Sequence, residues 1–153
     1  AGNVIGGGDW ADYRLLPDCF KALSSHKKII LRNPQAIRPW QHVLESLSGF
    51  LLIGSKLAKN PKRFEGAWNI GPSTLNDISV KSVVSKIVKQ WGSGKIIIKK
   101  NNLHEAQLLR LDSSKIFNLT KWKPTYSIED GLNETIAWYK DFLKKHSYKE
   151  FLK

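Results

Sequence analysis

SVKSVVSKIVKQWGSGKIII, residues Ser79 to Ile98, carries a helix and a strand in one run. Val80, Val83, Val84, Ile87, Val88 and Trp91 recur at the spacing of one face of an α-helix, the pattern of a helix that buries a single stripe. Ser79 or Asp77 stands where an oxygen side chain caps the first free N–H groups. Gly92 stands where a left-handed residue closes the last turn. The isoleucine run from Lys95 to Ile98 then has the β-branched composition of a strand. On the upstream side, Ala67 to Ile70 reads as a buried strand stopped by Gly71-Pro72. Strand, helix and strand in succession mean an α/β or α+β arrangement.

The same alternation extends outward. Val43, Leu44, Leu47, Phe50, Leu51, Gly54 and Leu57 mark a helix with one apolar face, ended by Asn60-Pro61. Lys28 to Leu31 is a brief strand before an Asn33-Pro34 turn. Leu15, Leu16, Cys19, Phe20 and Leu23 form a short helix that tolerates Pro17 in its first turn. Ala1 to Asp12 reads as a glycine-rich loop. Toward the other end, a short helix from Ser114 to Leu119 leads into Trp122-Lys123-Pro124. Ser127-Ile128-Glu129-Asp130 then opens a last helix with Ile128, Leu132, Ile136, Tyr139 and Leu143 on one stripe. Three or four strands are too few for a complete doubly wound sheet. Gly6-Gly7-Gly8 runs into Asp9-Trp10 and a loop instead of opening a helix, so the dinucleotide fingerprint is absent.

With 153 residues and 41% apolar composition, the chain has enough material for one domain with a core. Lys and Arg number 25 against 13 Asp and Glu, and the resulting charge of +12 draws anions of any kind. Charge alone does not choose between nucleic acid, an acidic membrane and a phosphorylated small molecule. A small basic nucleic-acid-binding domain is the alternative from another class, prompted by this charge and six tryptophans. No binding motif or patterned basic helix supports it, so no nucleic-acid partner is expected. The single Cys19 lacks a disulfide partner, and no His or Cys spacing fits a metal, which makes a reducing, cytoplasmic setting the default. The longest apolar candidate, Val43 to Leu57, is broken by Glu45, serines and glycines, short of the roughly 20 residues a membrane helix needs. The chain opens on Ala1 and has no methionine, and it is read as a piece of a longer protein.

Several motifs occur in order: Ala1-Gly2-Asn3-Val4-Ile5-Gly6-Gly7-Gly8-Asp9-Trp10 with Arg14-Leu15-Leu16-Pro17-Asp18; Arg32-Asn33-Pro34 with Ile37-Arg38-Pro39-Trp40-Gln41-His42-Val43; Trp68-Asn69-Ile70-Gly71-Pro72; His104-Glu105-Ala106; and Leu111-Asp112-Ser113-Ser114-Lys115 with Trp122-Lys123-Pro124 and Trp138-Tyr139. Together they resemble the successive signatures of the CDP-glucose 4,6-dehydratases, which are extended short-chain dehydrogenase/reductases of the NAD-dependent epimerase/dehydratase type. The resemblance covers nearly the whole chain. The Trp-Lys-Pro and Trp-Tyr pieces are common to many extended short-chain dehydrogenases; the first, second and His104 segments are the specific ones.

The resemblance implies residues 1–153 to be the substrate-binding, carboxy-terminal half of such an enzyme: the last Rossmann strands and helices plus the small substrate-binding domain. The part that holds NAD would lie upstream. It further implies a lyase that converts CDP-glucose to its 4-keto-6-deoxy product, by oxidation at C4, elimination of water across C5 and C6, and return of hydride to C6. The setting would be deoxysugar biosynthesis for the lipopolysaccharide O-antigen, and the parent a homodimer. Another epimerase or dehydratase acting on a different nucleotide sugar is the nearest alternative.

Substrate-binding residues follow on the same terms. Arginine holds diphosphate oxygens with a planar two-pronged fork, and Arg38, restrained by Pro39, is the foremost candidate. By residue type alone it is equally a surface arginine paired with a carboxylate. Asn3 and Asn69 each lie where a strand-like run meets glycine, and each is either a turn former or a sugar or phosphate contact; the resemblance implies the latter. Arg14 adds charge near the diphosphate or is solvated. His104 is carried as a substrate contact, whereas His42 is not assigned. Trp10 and Trp40 border the polar motifs as possible base-stacking faces; Trp91, Trp122 and Trp138 are expected in the packing. No catalytic residue is assigned, because no Tyr-x-x-x-Lys occurs in the chain and the fragment is expected to be inactive alone.

Overall fold

The computed structural model describes residues 1–72, 77–99 and 106–146. Four short strands form two parallel pairs. β1 (Asn3–Ile5) lies beside β3 (Trp40–His42), with Asn3 opposite Trp40 and Ile5 opposite His42. β2 (Ile29–Leu31) lies beside β4 (Ile96–Ile98), with Ile29 opposite Ile96. Parallel partners require long connections, and α1 (Leu15–Ser24), α2 (Val43–Lys59), α3 (Pro61–Phe64) and α4 (Val80–Trp91) lie within them; α5 (Ser114–Thr120) and α6 (Ile128–Lys145) follow the last strand.

The stretch that opened the sequence reading folds as its pattern requires. Ser79 Oγ accepts the Ser82 N–H at 3.1 Å, and Gly92 ends α4 at φ +98°. Val83, Val84 and Ile87 are fully buried. They meet α6, whose start is a reciprocal capping box between Ser127 and Asp130. The hydrogen bonds from Ser127 hold the Asp130 carboxyl below the usual carboxylate range. Lys140 Nζ reaches from α6 to the Gln90 carbonyl at 2.7 Å, meeting one of the orphan acceptors at the end of α4. The principal core gathers Leu16, Cys19, Phe20 and Leu23 of α1, the α4 valines and Leu132, Ile136 and Tyr139 of α6 around β1 to β3. Burial pushes the Cys19 thiol up to about 12, so it packs as a neutral apolar group.

The structure corrects two of the sequence expectations. Ala1 to Asp12 is not all loop, since it contains β1. Ala67 to Ile70 is not a strand. Its polar backbone groups are met by side chains instead: Lys115 Nζ donates to the Ala67 carbonyl at 2.8 Å, Gln41 Nε2 donates to the Ile70 carbonyl at 2.8 Å, and the Gly71 N–H donates to Ser113 Oγ at 2.9 Å. Ile70 still enters a second core with Ile53, Phe64 and Ile116.

α2 forms over the periodic segment and ends at Asn60 as expected, yet apart from Ile53 it packs inward through its polar side. Glu45, Ser46 and Gly49 are buried, whereas Leu44, Leu47, Phe50 and Leu51 are exposed. The reasons are specific. Glu45 Oε1 accepts the N–H groups of Thr125 and Tyr126 at 3.0 and 2.7 Å. Gln41 Nε2 donates to Ser46 Oγ at 2.7 Å. Gly49 admits Ile70, whose methyl would stand 2.6 Å from a Cβ at that position. Hydrogen bonds to a buried carboxylate are strong and costly to break, and they hold the polar stripe inward.

Candidate functional site

A cleft of about 840 Å³ lies between β1, α1 and β2. Asn3, at the first position of β1, lines it together with Arg14 and Arg38, so three of the polar residues singled out from sequence share one cavity. Each is placed by the local fold. Asn3 is fixed by its N–H bond to the Pro39 carbonyl at 2.8 Å. Gly2 allows this approach, because a Cβ there would sit 2.3 Å from that same oxygen. Arg38 is half-buried and donates through Nη1 to the Ile37 carbonyl at 2.9 Å, which orients the guanidinium at the end of an otherwise extended segment. Arg14 is the extended residue before α1, with its side chain 65% exposed and 3.8 Å from the Asp9 carboxylate.

Arg32 also lines this cleft, and sequence reasoning passed over it. The signal was available: Arg32 follows the carboxyl end of a parallel strand, where open α/β sheets place ligand contacts. Arg14, Arg32 and Arg38 together outnumber the carboxylates of Asp9 and Asp18 on the same lining. Burial raises the Asp18 carboxyl above its ordinary value. With Lys28 also on the lining, the wall carries a net positive charge and suits an anionic ligand.

The other expectations fall elsewhere. Asn69 is exposed and does not line the cleft; its neighbours Trp68 and Ile70 belong to the second core. His104 lies outside the described residues. Trp10 and Trp40 are 4% and 6% exposed, so they are core residues and not open stacking faces. Trp10 is committed to an edge-to-face contact with Tyr139 at 4.9 Å. His42 caps α2 by accepting the Leu44 N–H through Nδ1 at 3.4 Å, and burial lowers its pKa from the ordinary histidine value.

The triglycine run serves packing. A Cβ on Gly7 would fall 2.2 Å from the Trp138 ring, and the same indole lies 3.8 Å from that of Gly8. Trp138 thus packs on Gly7 and Gly8, and the run leads into a loop and not into a helix N-terminus as a dinucleotide cradle does. Among the described residues no other glycine-rich turn leads from a strand into a helix.

No protein-family model matches the chain. It is 39% identical over 146 residues to CDP-glucose 4,6-dehydratase of Salmonella typhimurium, covering 94% of this chain and 41% of that protein. The chain thus spans about two-fifths of the curated relative it matches. Among solved structures, it superposes on dTDP-glucose 4,6-dehydratase of Bacillus anthracis in complex with NAD with a TM-score of 0.77 and 24% identity, over 99% of this chain and 46% of that one. UDP-glucuronic acid 4-epimerase of Bacillus cereus, in complex with UDP-glucuronic acid and NAD, gives 0.76 and 21% over 92% and 44%. The two solved structures establish the fold. In sequence the chain is thus similar to part of CDP-glucose 4,6-dehydratase, and in structure it has the mixed α/β fold of part of these two nucleotide-sugar enzymes.

Proposed function

We propose that this chain is the nucleotide-sugar-binding part of a CDP-glucose 4,6-dehydratase, and that its cleft grips the diphosphate of the substrate. The observation that carries the reading is the meeting of Asn3, Arg14 and Arg38 in one cavity although they are distant in sequence. Diphosphate oxygens accept bidentate donation from guanidinium groups, and a short amide serves a sugar hydroxyl or a phosphate oxygen. Holding both ends of the substrate contributes to catalysis by orientation, since it fixes where the hexose presents its reacting carbons.

In this reading NAD and the Tyr-x-x-x-Lys pair belong to the part of the enzyme that the chain does not span. The shielding of Gly7 by Trp138 agrees with that division. The exposed leucines and Phe50 of α2 then form a seam for the remaining part, the kind of contiguous apolar surface that a separate domain leaves bare. The complete enzyme would be cytoplasmic and dimeric. No helix among the described residues is long and apolar enough to cross a membrane.

Calorimetric titration of the full chain with CDP, CMP and inorganic sulfate at fixed salt tests the proposal. Saturable CDP binding, tighter than CMP and insensitive to sulfate at matched ionic strength, is the expected result. Equal, weak and steeply salt-dependent uptake of all three, together with equal binding to arbitrary DNA, would instead mark a non-specific basic surface.

A further inference from the structure

Tyr13 is 94% exposed and holds a left-handed backbone at φ +63°. A bulky residue adopts that conformation only when its surroundings impose it, and such residues gather at ligand clamps. Here both flanks are tied down. Asp9 accepts the Ala11 N–H at 3.0 Å through its side chain and the Tyr139 hydroxyl through its carbonyl. Asp12 accepts from Lys21 Nζ at 2.6 Å, and the Arg14 carbonyl accepts the Asp18 N–H at 2.9 Å as α1 begins. The loop is anchored, yet the phenol ring it presents is left in water. Such a ring gives nothing to the core. Tyr13 nevertheless lines the same cleft as Asn3, Arg14 and Arg38, and the two tryptophans nearest in sequence to the polar motifs are buried.

We infer that the Tyr13 ring is the platform on which the nucleobase of a nucleoside diphosphate stacks, with the adjoining arginines on its diphosphate. The inference rests on the nucleotide-sugar reading and adds the base-recognising residue to it. Aromatic faces accept a base without requiring a particular hydrogen-bond pattern. A stacking platform therefore discriminates nucleotides from bare phosphates more sharply than one base from another. At 94% exposure the ring stands open on the cleft, where a flat ligand can cover it.

The test titrates the full chain with CDP and with inorganic pyrophosphate, in unaltered form and as Tyr13→Phe, Tyr13→Ala and Tyr13→Gly. CDP affinity should fall about 5- to 100-fold in the alanine and glycine variants, the range for losing one base–aromatic stack, and stay unchanged in Tyr13→Phe. Pyrophosphate affinity should be the same in all four. Tyr13→Gly should also melt no lower than the unaltered chain, because glycine accepts the left-handed backbone. Unchanged CDP binding in Tyr13→Ala, or parallel loss of CDP and pyrophosphate binding, would overturn the platform while leaving the cleft assignment standing. Failure of the unaltered chain to bind CDP at all would overturn the nucleotide-sugar reading and this inference with it.

Discussion

Truncating Tyr139 to alanine is expected to destabilise the chain by about 3–5 kcal/mol, the range for removing a large buried aromatic side chain. Tyr139 is completely buried, stacks on Phe20 with ring centres 3.8 Å apart and meets Trp10 edge-on at 4.9 Å. Its hydroxyl donates to the Asp9 carbonyl, and burial pushes the phenol well above its ordinary pKa. One residue thereby joins α6, α1 and the loop that delivers Arg14 and Tyr13 to the cleft. A loss of this size is a large share of the roughly 5–15 kcal/mol that keeps a domain folded. Tyr139→Phe retains the rings and loses only the hydrogen bond, so it should cost about 0.5–1.5 kcal/mol. Urea denaturation of both variants followed by circular dichroism distinguishes the two contributions. Equal midpoints for Tyr139→Phe and Tyr139→Ala would show that the ring packing described above does not hold the core.

Replacing Arg38 with alanine should weaken CDP binding roughly 10- to 100-fold, the equivalent of losing charge-assisted hydrogen bonds worth about 1.5–3 kcal/mol. Arg38 is half-buried and braced by its own bond to the Ile37 carbonyl, so the guanidinium arrives at a ligand with little freedom left to lose. Arg38→Lys should recover only part of the affinity, because an ammonium keeps the charge and forfeits the planar fork. Titration calorimetry on the two variants gives the ratio directly. Full recovery by lysine would mean that the cleft offers charge without geometry.

How much of this was legible beforehand depended on whether local pattern or remote contacts set each segment. α4 declared itself because its apolar positions, its Ser79 cap and its Gly92 terminus agree with one another, and nothing distant overrides them. The capping box of α6 was equally plain. β1 was hidden, since a three-residue strand amid glycines is defined by its partner, β3, and not by its own composition. Ala67 to Ile70 misled in the opposite direction: Ile70 is buried, but Gln41, Ser113 and Lys115 take the bonds that a neighbouring strand would have made.

The apolar stripe of α2 shows the same limit more sharply. Periodicity reports that a helix has an apolar face, but not that a buried Glu45 will turn that face outward. Within the cleft, Asn3, Arg14 and Arg38 were recognisable from their motifs. Tyr13 was not, because an aromatic in a loop acquires meaning only when the cavity is visible, and Arg32 was passed over although it directly follows the strand-like run Lys28 to Leu31.

Amide-resolved NMR of the labelled chain titrated with CDP tests whether Asn3, Tyr13 and the three arginines form one diphosphate-gripping cleft. Saturable shifts concentrated at Asn3, Tyr13, Arg14, Arg32 and Arg38, with Asn69 and the second core unmoved, are the expected result. Shifts scattered over the lysine-bearing surface, or confined to the Asn69 segment, would contradict it.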